Sequence, residues 1–383
     1  MKVYLTLVVI AALVSYVATP AMRHLAYRIG AVTAVRDRDV HVVPTARLGG
    51  VAIYLGIVAS VVAASRVPFL GRVFEVSGAA WAVLAGAGLV CLLGVIDDVY
   101  DLDWMAKLAG QVFAAWILAW GGVQLVTFPI GGVTIASSPL SLAATMLSVV
   151  IAINAVNFVD GLDGLAAGMI AIGASAFFVY TYVLARDASP GDYSSLATLI
   201  LAALVGACLG FLPHNVHPAR IFMGDSGAMV LGLTIAAAAI IVTGQVDPAI
   251  VGERERIPAI VPLLLPIMVV FVPLADMALA VIRRTIRGES PWAPDAHHLH
   301  HQLLRFGHSH RWAVAVLYIW TAVLSFGTVS LVFMSGRWAL TVLGLGIVVA
   351  ATVTFSPKFR DALARTLRSL GSQTAEFATG RKS

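Results

Sequence analysis

Three aspartates stand together at positions 97, 98 and 101, within the stretch IDDVYDLD, in a chain that carries little charge. Hydrophobic residues make up 60% of the sequence and charged residues only 12%. A carboxylate beside a lipid bilayer costs several kcal/mol to desolvate unless a cation or a water-filled cavity compensates it. On a helix, Asp97 with Asp101 and Asp98 with Asp101 have spacings that bring side chains onto one face. The cluster therefore predicts a cation site.

A second acidic pair, Asp160 and Asp163, repeats this helical spacing and follows two asparagines, Asn154 and Asn157. Clustered oxygen ligands without cysteine favour Mg²⁺, with Mn²⁺ as the alternative, over zinc. An EF-hand calcium site is excluded because DDVYDLD lacks the glycine that the sixth position of that loop requires. Helix capping or solvation accounts for any one of these aspartates, but it does not account for so many together.

The tetrapeptide GDSG at 224–227 begins another apolar segment. Gly224 and Gly227 permit a close backbone approach, and the N–H groups at the start of a helix favour a phosphate or a carboxylate. Asp225 and Ser226 are equally suited to capping that helix. The tetrapeptide alone therefore leaves both interpretations open.

Histidines are concentrated near the C-terminal end of the chain: six of the ten are His297, His298, His300, His301, His308 and His310. Zinc is the alternative occupant of this cluster, but the cluster offers no cysteine and only one i,i+4 histidine pair, so phosphate contacts are the favoured interpretation. We expect the last two histidines to lie at the membrane interface. Asp276, within an apolar segment, is either a functional acid or a hydrogen-bond partner of a neighbouring helix.

The elements that carry these residues are predicted to be transmembrane helices. The mean hydropathy is +0.91, which excludes an ordinary soluble domain. An apolar stretch of roughly 20 residues crosses about 30 Å of hydrocarbon. The sequence predicts an all-α, polytopic membrane protein with about eleven spans, at 3–22, 48–65, 79–96, 105–121, 139–157, 164–185, 194–213, 227–244, 257–282, 312–334 and 338–355.

Three further features bear on this organisation. The stretch GGVQLVTFPIGGVTIASSP is too rich in Gly, Pro and Ser to continue a helix and predicts a small β-hairpin. The first segment could be a signal peptide, but its length and the basic residues after it favour an uncleaved span. Cys91 and Cys208 fall within spans and are predicted to be packing residues.

The orientation follows from the positions of Lys and Arg. The loops after odd-numbered spans carry 18 of the 25 basic residues and the opposite side carries 7. This asymmetry predicts an N-terminus outside and a C-terminus in the cytoplasm. The net charge of +5 records this excess and does not argue for nucleic acid binding. We predict one catalytic membrane domain over 1–355 and a basic cytoplasmic tail over 356–383, which forms an interfacial amphipathic helix.

The polar motifs all fall on the predicted cytoplasmic side. They are HVVPTARLGG, DDVYDLDWMAK, NAVNFVDGLDG, HNVHPARIFMGDSG and PDAHHLHHQLL, and the outer loops contain nothing comparable. Five motifs in five loops on one side predict one assembled site.

These motifs, in this order, resemble the polyprenyl-phosphate N-acetylhexosamine-1-phosphate transferases (glycosyltransferase family 4). The resemblance runs from PTARLGG at 44–50 to HLHHQLL at 298–304. HLHH resembles the branch that uses UDP-N-acetylglucosamine (UDP-GlcNAc), since the muramoyl-pentapeptide branch carries three consecutive histidines. The residues of the motifs most resemble those of bacterial undecaprenyl- or decaprenyl-phosphate GlcNAc-1-phosphate transferases of the plasma membrane, which initiate cell-envelope polymers.

The resemblance implies a Mg²⁺-dependent phosphoryl transfer. A polyprenyl phosphate would attack UDP-GlcNAc, giving polyprenyl-diphospho-GlcNAc and UMP. It also implies roles for single residues. Asp225 would be the principal metal ligand. Asp97 and Asp98 would join it in catalysis, with Asp98 a second metal ligand or a base. Phe222 would stack on uracil. The other substrate-binding candidates are Arg47, Lys107, Asn154, Asn157, Asp160, Asp163, Asn215, His298, His300 and His301.

Two alternatives remain open. Within the enzymes, a phospho-N-acetylmuramoyl-pentapeptide transferase differs only in its donor. Outside them, a membrane transporter also carries acids within apolar segments, but transporters place polar residues near the midplane and show repeat symmetry. The one-sided motifs disfavour transport. The isoprenoid chain length of the acceptor, the polymer and the oligomeric state, for which a homodimer is one possibility, stay open.

Overall fold

The computed structural model describes residues 1–33, 44–75, 78–125, 127–128, 134–135, 137–188, 194–244, 256–288 and 298–355, and these residues are almost all α-helical. The helices are α1 (Lys2–Ile29), α2 (Gly49–Ala64), α3 (Gly71–Glu75), α4 (Ala79–Tyr100), α5 (Trp104–Trp120), α6 (Ser138–Val159), α7 (Leu165–Ala188), α8 (Leu196–Asn215), α9 (Gly224–Gly244), α10 (Arg256–Val269), α11 (Phe271–Ile286), α12 (Leu299–Arg305), α13 (His310–Phe333) and α14 (Gly336–Phe355).

Each of the eleven predicted segments coincides with a helix, apart from the ninth. There the chain breaks at Val270 into α10 and α11. By length and composition, eight helices of the described part of the chain can cross a membrane, or nine if α2 and the short helices after it are taken as one bent span. The polytopic all-α prediction is confirmed, while the count of eleven spans and their orientation stay predictions.

The N-terminal helix is an integral part of the bundle. α1 packs against α2 and α8. The approach to α8 is so close that a Cβ on Gly206 or Gly210 would lie 2.2 or 2.1 Å from a carbonyl oxygen of α1. At its start, the Tyr4 hydroxyl accepts a hydrogen bond of 2.9 Å from the backbone N–H of Ser195. A chain without α1 would expose this whole interface.

The central helix of the bundle is α9. It packs against α2, α4, α6 and α8, and most of its apolar length is buried inside the protein. Small residues make this possible: a Cβ on Gly232 would lie 2.5 Å from the Cα of Ile153 in α6. Because α9 begins with GDSG, its burial places that tetrapeptide among the ends of several neighbouring helices.

Two smaller predictions, the β-hairpin and the packing role of the cysteines, are also confirmed. Between α5 and α6, the strands β1 (Thr127–Phe128) and β2 (Thr134–Ile135) pair antiparallel as a hairpin. Cys91 and Cys208 are buried and free. The tail over 356–383 and His297 lie outside the described residues, so the domain boundary and the interfacial helix stay predictions.

Candidate functional site at one end of the helix bundle

Residues from distant motifs meet at one end of the bundle, formed by the C-terminal ends of α4, α6 and α8 and the N-terminal ends of α2, α5, α9 and α13. At its centre, the ammonium group of Lys107 bridges two carboxylates. Its Nζ lies 2.6 Å from Asp97 Oδ2 and 3.4 Å from Asp225 Oδ2. The Asp97 side chain is 4% exposed, whereas those of Lys107 and Asp225 are 25% and 32% exposed. Asp225 is therefore the more accessible carboxylate of the pair.

The carboxylate of Asp98 occupies the start of α9. Its Oδ1 accepts a hydrogen bond of 3.1 Å from the N–H of Asp225, and its Oδ2 accepts one of 3.4 Å from the N–H of Ser226. The sequence left these N–H groups open to a phosphate or a carboxylate, and in the structure a carboxylate of the protein itself takes two of them. The favourable interaction of an anion with a helix N-terminus thus holds α4 and α9 together.

Glycines allow the backbones to approach this closely. A Cβ on Gly94 of α4 would lie 2.3 Å from the Cα of Ser226, and one on Gly50 of α2 would lie 2.0 Å from the N of Gly227. Gly224 has a φ of +70°, and a Cβ there would lie 2.3 Å from Asp98 Oδ2. Side chains at these positions would push the backbones apart, which explains the glycines of PTARLGG and GDSG and the glycine just before DDVYDLD.

The PTARLGG segment runs beside the segment that leads into GDSG. The N–H of Phe222 donates to the carbonyl of Ala46 at 2.8 Å, and the N–H of Gly49 donates to the carbonyl of Phe222 at 3.0 Å. Arg47 lies between these contacts, and its Nε donates to Thr33 Oγ1 at 2.8 Å. Its guanidinium acts electrostatically on Asp98, Asp160 and Asp225. Arg47 therefore lies close to the acids, and Phe222, three residues before Asp225, is half-buried.

The end of α6 contributes residues with different surroundings. Asn157 interacts with the carboxylate of Asp225. Asn154, one turn earlier, donates instead to Gln111 Oε1 of α5 at 2.7 Å, so its amide joins two helices. Asp160 lies just after the end of α6. Burial, with a smaller contribution from the nearby negative charge of Asp225, raises the pKa of Asp160 to about 7.

Asp163 joins three segments through hydrogen bonds. Its Oδ2 lies 2.7 Å from His217 Nδ1 and accepts from the N–H of Ala219 at 3.1 Å, while its own N–H donates to His310 Nε2 at 3.1 Å. Among the described residues, Asp163, His217 and His310 each bring a potential metal-ligand atom within 4.8 Å of the others. The hydrogen bonds account for this proximity without a metal.

Asn215 is buried and uses both ends of its amide to hold loops in place. Its Oδ1 accepts from the N–H of Gly164 at 3.0 Å, and its Nδ2 donates to the carbonyl of Ile221 at 2.9 Å. The amide therefore links the DGLDG loop to the segment that carries Phe222. In this structure Asn215 positions the loops, and a direct contact with substrate stays a prediction.

The histidines of HLHH lie against the DGLDG loop. His300 is 2% exposed, and a Cβ on Gly161 would lie 2.3 Å from its Nε2. The rings of His298 and His300 stack with centroids 5.7 Å apart, and that of His301 lies 4.3 Å from that of His300. Burial, reinforced by the neighbouring histidines, lowers the pKa of His300 to about 3. His300 is therefore neutral at pH 7.

One expectation requires correction. Asp101 does not converge with its neighbours, because α4 ends at Tyr100 and Asp101 is exposed in a left-handed conformation with a φ of 52°. His308 is 8% exposed and its Nε2 lies 3.0 Å from the carbonyl oxygen of Thr354. His310 contacts the backbone of Asp163, and the position of both histidines at the membrane interface stays a prediction.

Sequence reasoning also missed His217 and Gln111 as neighbours of the candidate residues. His217 stands in the motif HNVHPARIFMGDSG, two residues after Asn215. This position in the motif was the only feature of the sequence that pointed to His217. Its partner Asp163 lies 54 residues away along the chain, so local spacing could not reveal the pair.

This fold and this site define a multi-pass membrane protein whose polar residues gather at one end of its helices. The family model described as "Glycosyl transferase family 4" matches residues 80–243. A decaprenyl-phosphate N-acetylglucosaminephosphotransferase of Mycolicibacterium smegmatis is 45% identical over 354 residues, covering 91% of this chain and 87% of that protein. The chain belongs to glycosyl transferase family 4.

Other relatives indicate which branch of the family is similar. The decaprenyl-phosphate N-acetylglucosaminephosphotransferase of Mycobacterium tuberculosis is 44% identical, covering 91% of this chain and 88% of that protein. A probable undecaprenyl-phosphate N-acetylglucosaminyl 1-phosphate transferase of Bacillus subtilis is 32% identical, covering 84% and 83%. A phospho-N-acetylmuramoyl-pentapeptide-transferase of Mycobacterium leprae is 34% identical but covers only 66% of this chain.

Proposed function

We propose that the protein transfers GlcNAc-1-phosphate from UDP-GlcNAc to a membrane polyprenyl phosphate, giving polyprenyl-diphospho-GlcNAc and UMP. The observation that carries the proposal is the bridge from Asp97 through Lys107 to Asp225, at the end of the bundle where all the motifs meet. The names of relatives that match most of the chain support the transferred group and the acceptor.

In the proposed reaction, an oxygen of the lipid phosphate attacks the phosphorus that is bonded to the sugar. The bond from that phosphorus to the bridging oxygen of the diphosphate breaks, and UMP leaves. Catalysis of this kind depends mainly on positioning and on neutralising negative charge. Because the attacking phosphate is already largely ionised at neutral pH, the reaction does not require a strong base.

The acids fit a hard divalent cation. Of Asp97, Asp98 and Asp225, Asp225 has the most exposed side chain. Asp97 lies beside it, held by the same ammonium group. Asp98 is a weaker candidate ligand than the sequence implied, because both of its oxygens already accept N–H groups of α9. Bound at these oxygens, Mg²⁺ would neutralise charge on the diphosphate and favour the departure of UMP.

The basic and aromatic residues around the acids suit the rest of the donor. Lys107 and Arg47 supply positive charge beside the carboxylates, where the diphosphate would bind. Phe222 is half-buried and is the aromatic residue that we assign to uracil. His298 and His301 are only partly buried and are the histidines best placed to contact the sugar phosphate, whereas His300 packs on Gly161.

An apolar cavity supports a lipid acceptor. It has a volume of about 310 Å³ and lies among α6, α9, α10 and α11, with a lining that includes Ala236, Ile240, Val270 and Leu274. On α9, Ile235 stands ten residues after Asp225, roughly 15 Å along the helix. An isoprenoid chain in this cavity could therefore place its phosphate at the acids.

The excess of Lys and Arg on one side supports a site on the cytoplasmic face of a bacterial plasma membrane, where soluble UDP-GlcNAc would reach it.

Transfer of a muramoyl-pentapeptide phosphate is the second candidate activity, since that family branch also has recognisable similarity to this chain. The oligomeric state, for which the sequence left a homodimer as one possibility, stays open.

The test uses the full-length protein in detergent with UDP-GlcNAc, a polyprenyl phosphate and Mg²⁺, and measures the release of UMP. We expect EDTA to stop the reaction and added Mg²⁺ or Mn²⁺ to restore it. Asp98→Asn and Asp225→Asn should each lower kcat by at least about 100-fold without lowering the yield of folded protein. Asp187→Asn, an exposed acid at the other end of α7, is the matched control.

Two results would contradict the proposal in different ways. Turnover of a muramoyl-pentapeptide donor without turnover of UDP-GlcNAc would overturn the donor but leave the site intact. Wild-type rates in both Asp98→Asn and Asp225→Asn would show that the acids are not the catalytic centre.

A further inference from the structure

Asp276 is a fully buried acid to which the proposed reaction gives no role. It lies within α11, which belongs to an apolar segment, and is 0% exposed. An ionised carboxylate in such a position is unfavourable by several kcal/mol unless hydrogen bonds compensate it. Its contacts therefore indicate what it stabilises.

Both oxygens of Asp276 accept hydrogen bonds from the segment that carries HLHH. Oδ1 accepts from the N–H of Leu299 at 2.8 Å, and Oδ2 lies 3.1 Å from His298 Nδ1. Leu299 is the first residue of α12, and His298, at the N-cap position, makes no capping bond with its own side chain. Asp276 thus caps α12 from a different helix. A helix of seven residues has little stability of its own, so its placement depends on such an anchor.

The contact with Asp276 also selects the tautomer of His298. A carboxylate only accepts hydrogen bonds, so the proton of the neutral imidazole lies on Nδ1, and Nε2 is the nitrogen that can contact substrate. Two rings fix the plane of the imidazole. His300 stacks on it with an interplanar angle of 5°, and the ring of Phe158 lies 5.5 Å away. The guanidinium of Arg284 lies over the ring of Phe158, 5.6 Å from its centroid.

We propose that Asp276 is a positioning residue of the transferase, which holds the start of α12 and fixes His298 so that Nε2 can contact the sugar phosphate. The inference rests on the proposed function, because it assigns the buried acid to the histidines of that same site. Residues that orient a functional histidine in this way contribute about 10- to 100-fold to activity in metal sites, and a similar effect is expected here.

The decisive variant is Asp276→Asn. An asparagine can keep the oxygen that accepts from Leu299, so the cap of α12 is retained. Its NH₂ group would then face Nδ1 of His298, which requires the opposite tautomer. We expect kcat for UMP release to fall about 10- to 100-fold, while the melting temperature and the KM for UDP-GlcNAc stay close to the wild-type values. Asp187→Asn makes the same chemical change at an exposed position and should leave all three quantities unchanged.

A double-mutant cycle with His298→Ala shows whether Asp276 acts through the histidine. If it does, Asp276→Asn will have no further effect on kcat in the His298→Ala background. Equal losses in both backgrounds would overturn the inference, and so would a wild-type kcat in Asp276→Asn alone. Failure of the proposed function looks different, because the wild-type protein would then release no UMP from UDP-GlcNAc.

Discussion

Replacing Gly94 by alanine tests whether the spacing of α4 and α9 determines activity. An added Cβ would lie 2.3 Å from both the N and the Cα of Ser226, whereas ordinary van der Waals contact begins at 3.4 Å. The two helices must therefore separate by about 1 Å, since backbone atoms cannot rotate away as a flexible side chain could. Overpacking of this kind lowers the free energy of unfolding by about 1–3 kcal/mol.

The same displacement acts on the site because Asp98 lies one helical turn after Gly94. Its hydrogen bond to the N–H of Asp225 is 3.1 Å long, and an increase of about 1 Å would break it. A misplacement of about 1 Å costs roughly 100-fold in rate. We therefore expect Gly94→Ala to lower kcat for UMP release by about 100-fold and to lower the melting temperature in detergent.

Gly344→Ala is the matched control for this substitution. Gly344 also lies within a helix, α14, but a Cβ there would meet nothing within 4 Å. Alanine in a helix is more favourable than glycine by about 0.5–1 kcal/mol, so this variant should be as active as the wild type and at least as stable. If Gly94→Ala behaves like Gly344→Ala, the close approach of α4 and α9 does not control the reaction.

Three further predictions concern titration and the apolar cavity. The folded-state pKa of Asp160 is about 7, above the usual 3.8, so the free energy of unfolding of the wild type falls as pH rises between these values. In metal-free buffer, Asp160→Asn should therefore raise the melting temperature at pH 8 more than at pH 4. Equal shifts at the two pH values would refute this. The pKa of His300 is about 3 in the folded protein, below the usual 6.5, so the unfolded chain binds a proton more readily between these values. Acidification from pH 6.5 towards 3 should therefore lower the melting temperature of the wild type more than that of His300→Asn. Ala236→Phe should raise the KM for a long polyprenyl phosphate but not for a short analogue; equal KM changes would contradict a lipid in this cavity.

Much of the fold follows from the sequence because the bilayer imposes a strict rule on length and polarity. The ends of the apolar segments lie within a few residues of the helix ends, as for α6 at Ser138–Val159. The break at Val270 was not predicted, although the segment 257–282 contains four prolines, at positions 258, 262, 266 and 273. Pro273 lacks the N–H that would donate to the carbonyl of Val269, so the helix is interrupted next to Val270.

For the site, the sequence identified the motifs but could not assign the contacts within them. Asp98 and Asp101 have the same residue type and adjacent helical positions, yet one is buried against α9 and the other is exposed beyond the end of α4. The difference arises where α4 terminates and where Gly94 meets Ser226. Likewise, nothing local distinguishes Asp276 as a helix cap, because its partners stand 22 and 23 residues later.

The hydrogen bonds of Asp163 have a consequence for biosynthesis. Its N–H donates to His310, 147 residues further along the chain. Lys107 donates to Asp225, which stands 118 residues later. During translation, the early helices enter the membrane with these partners still missing. The nascent chain therefore cannot assemble the complete site until α13 has been inserted.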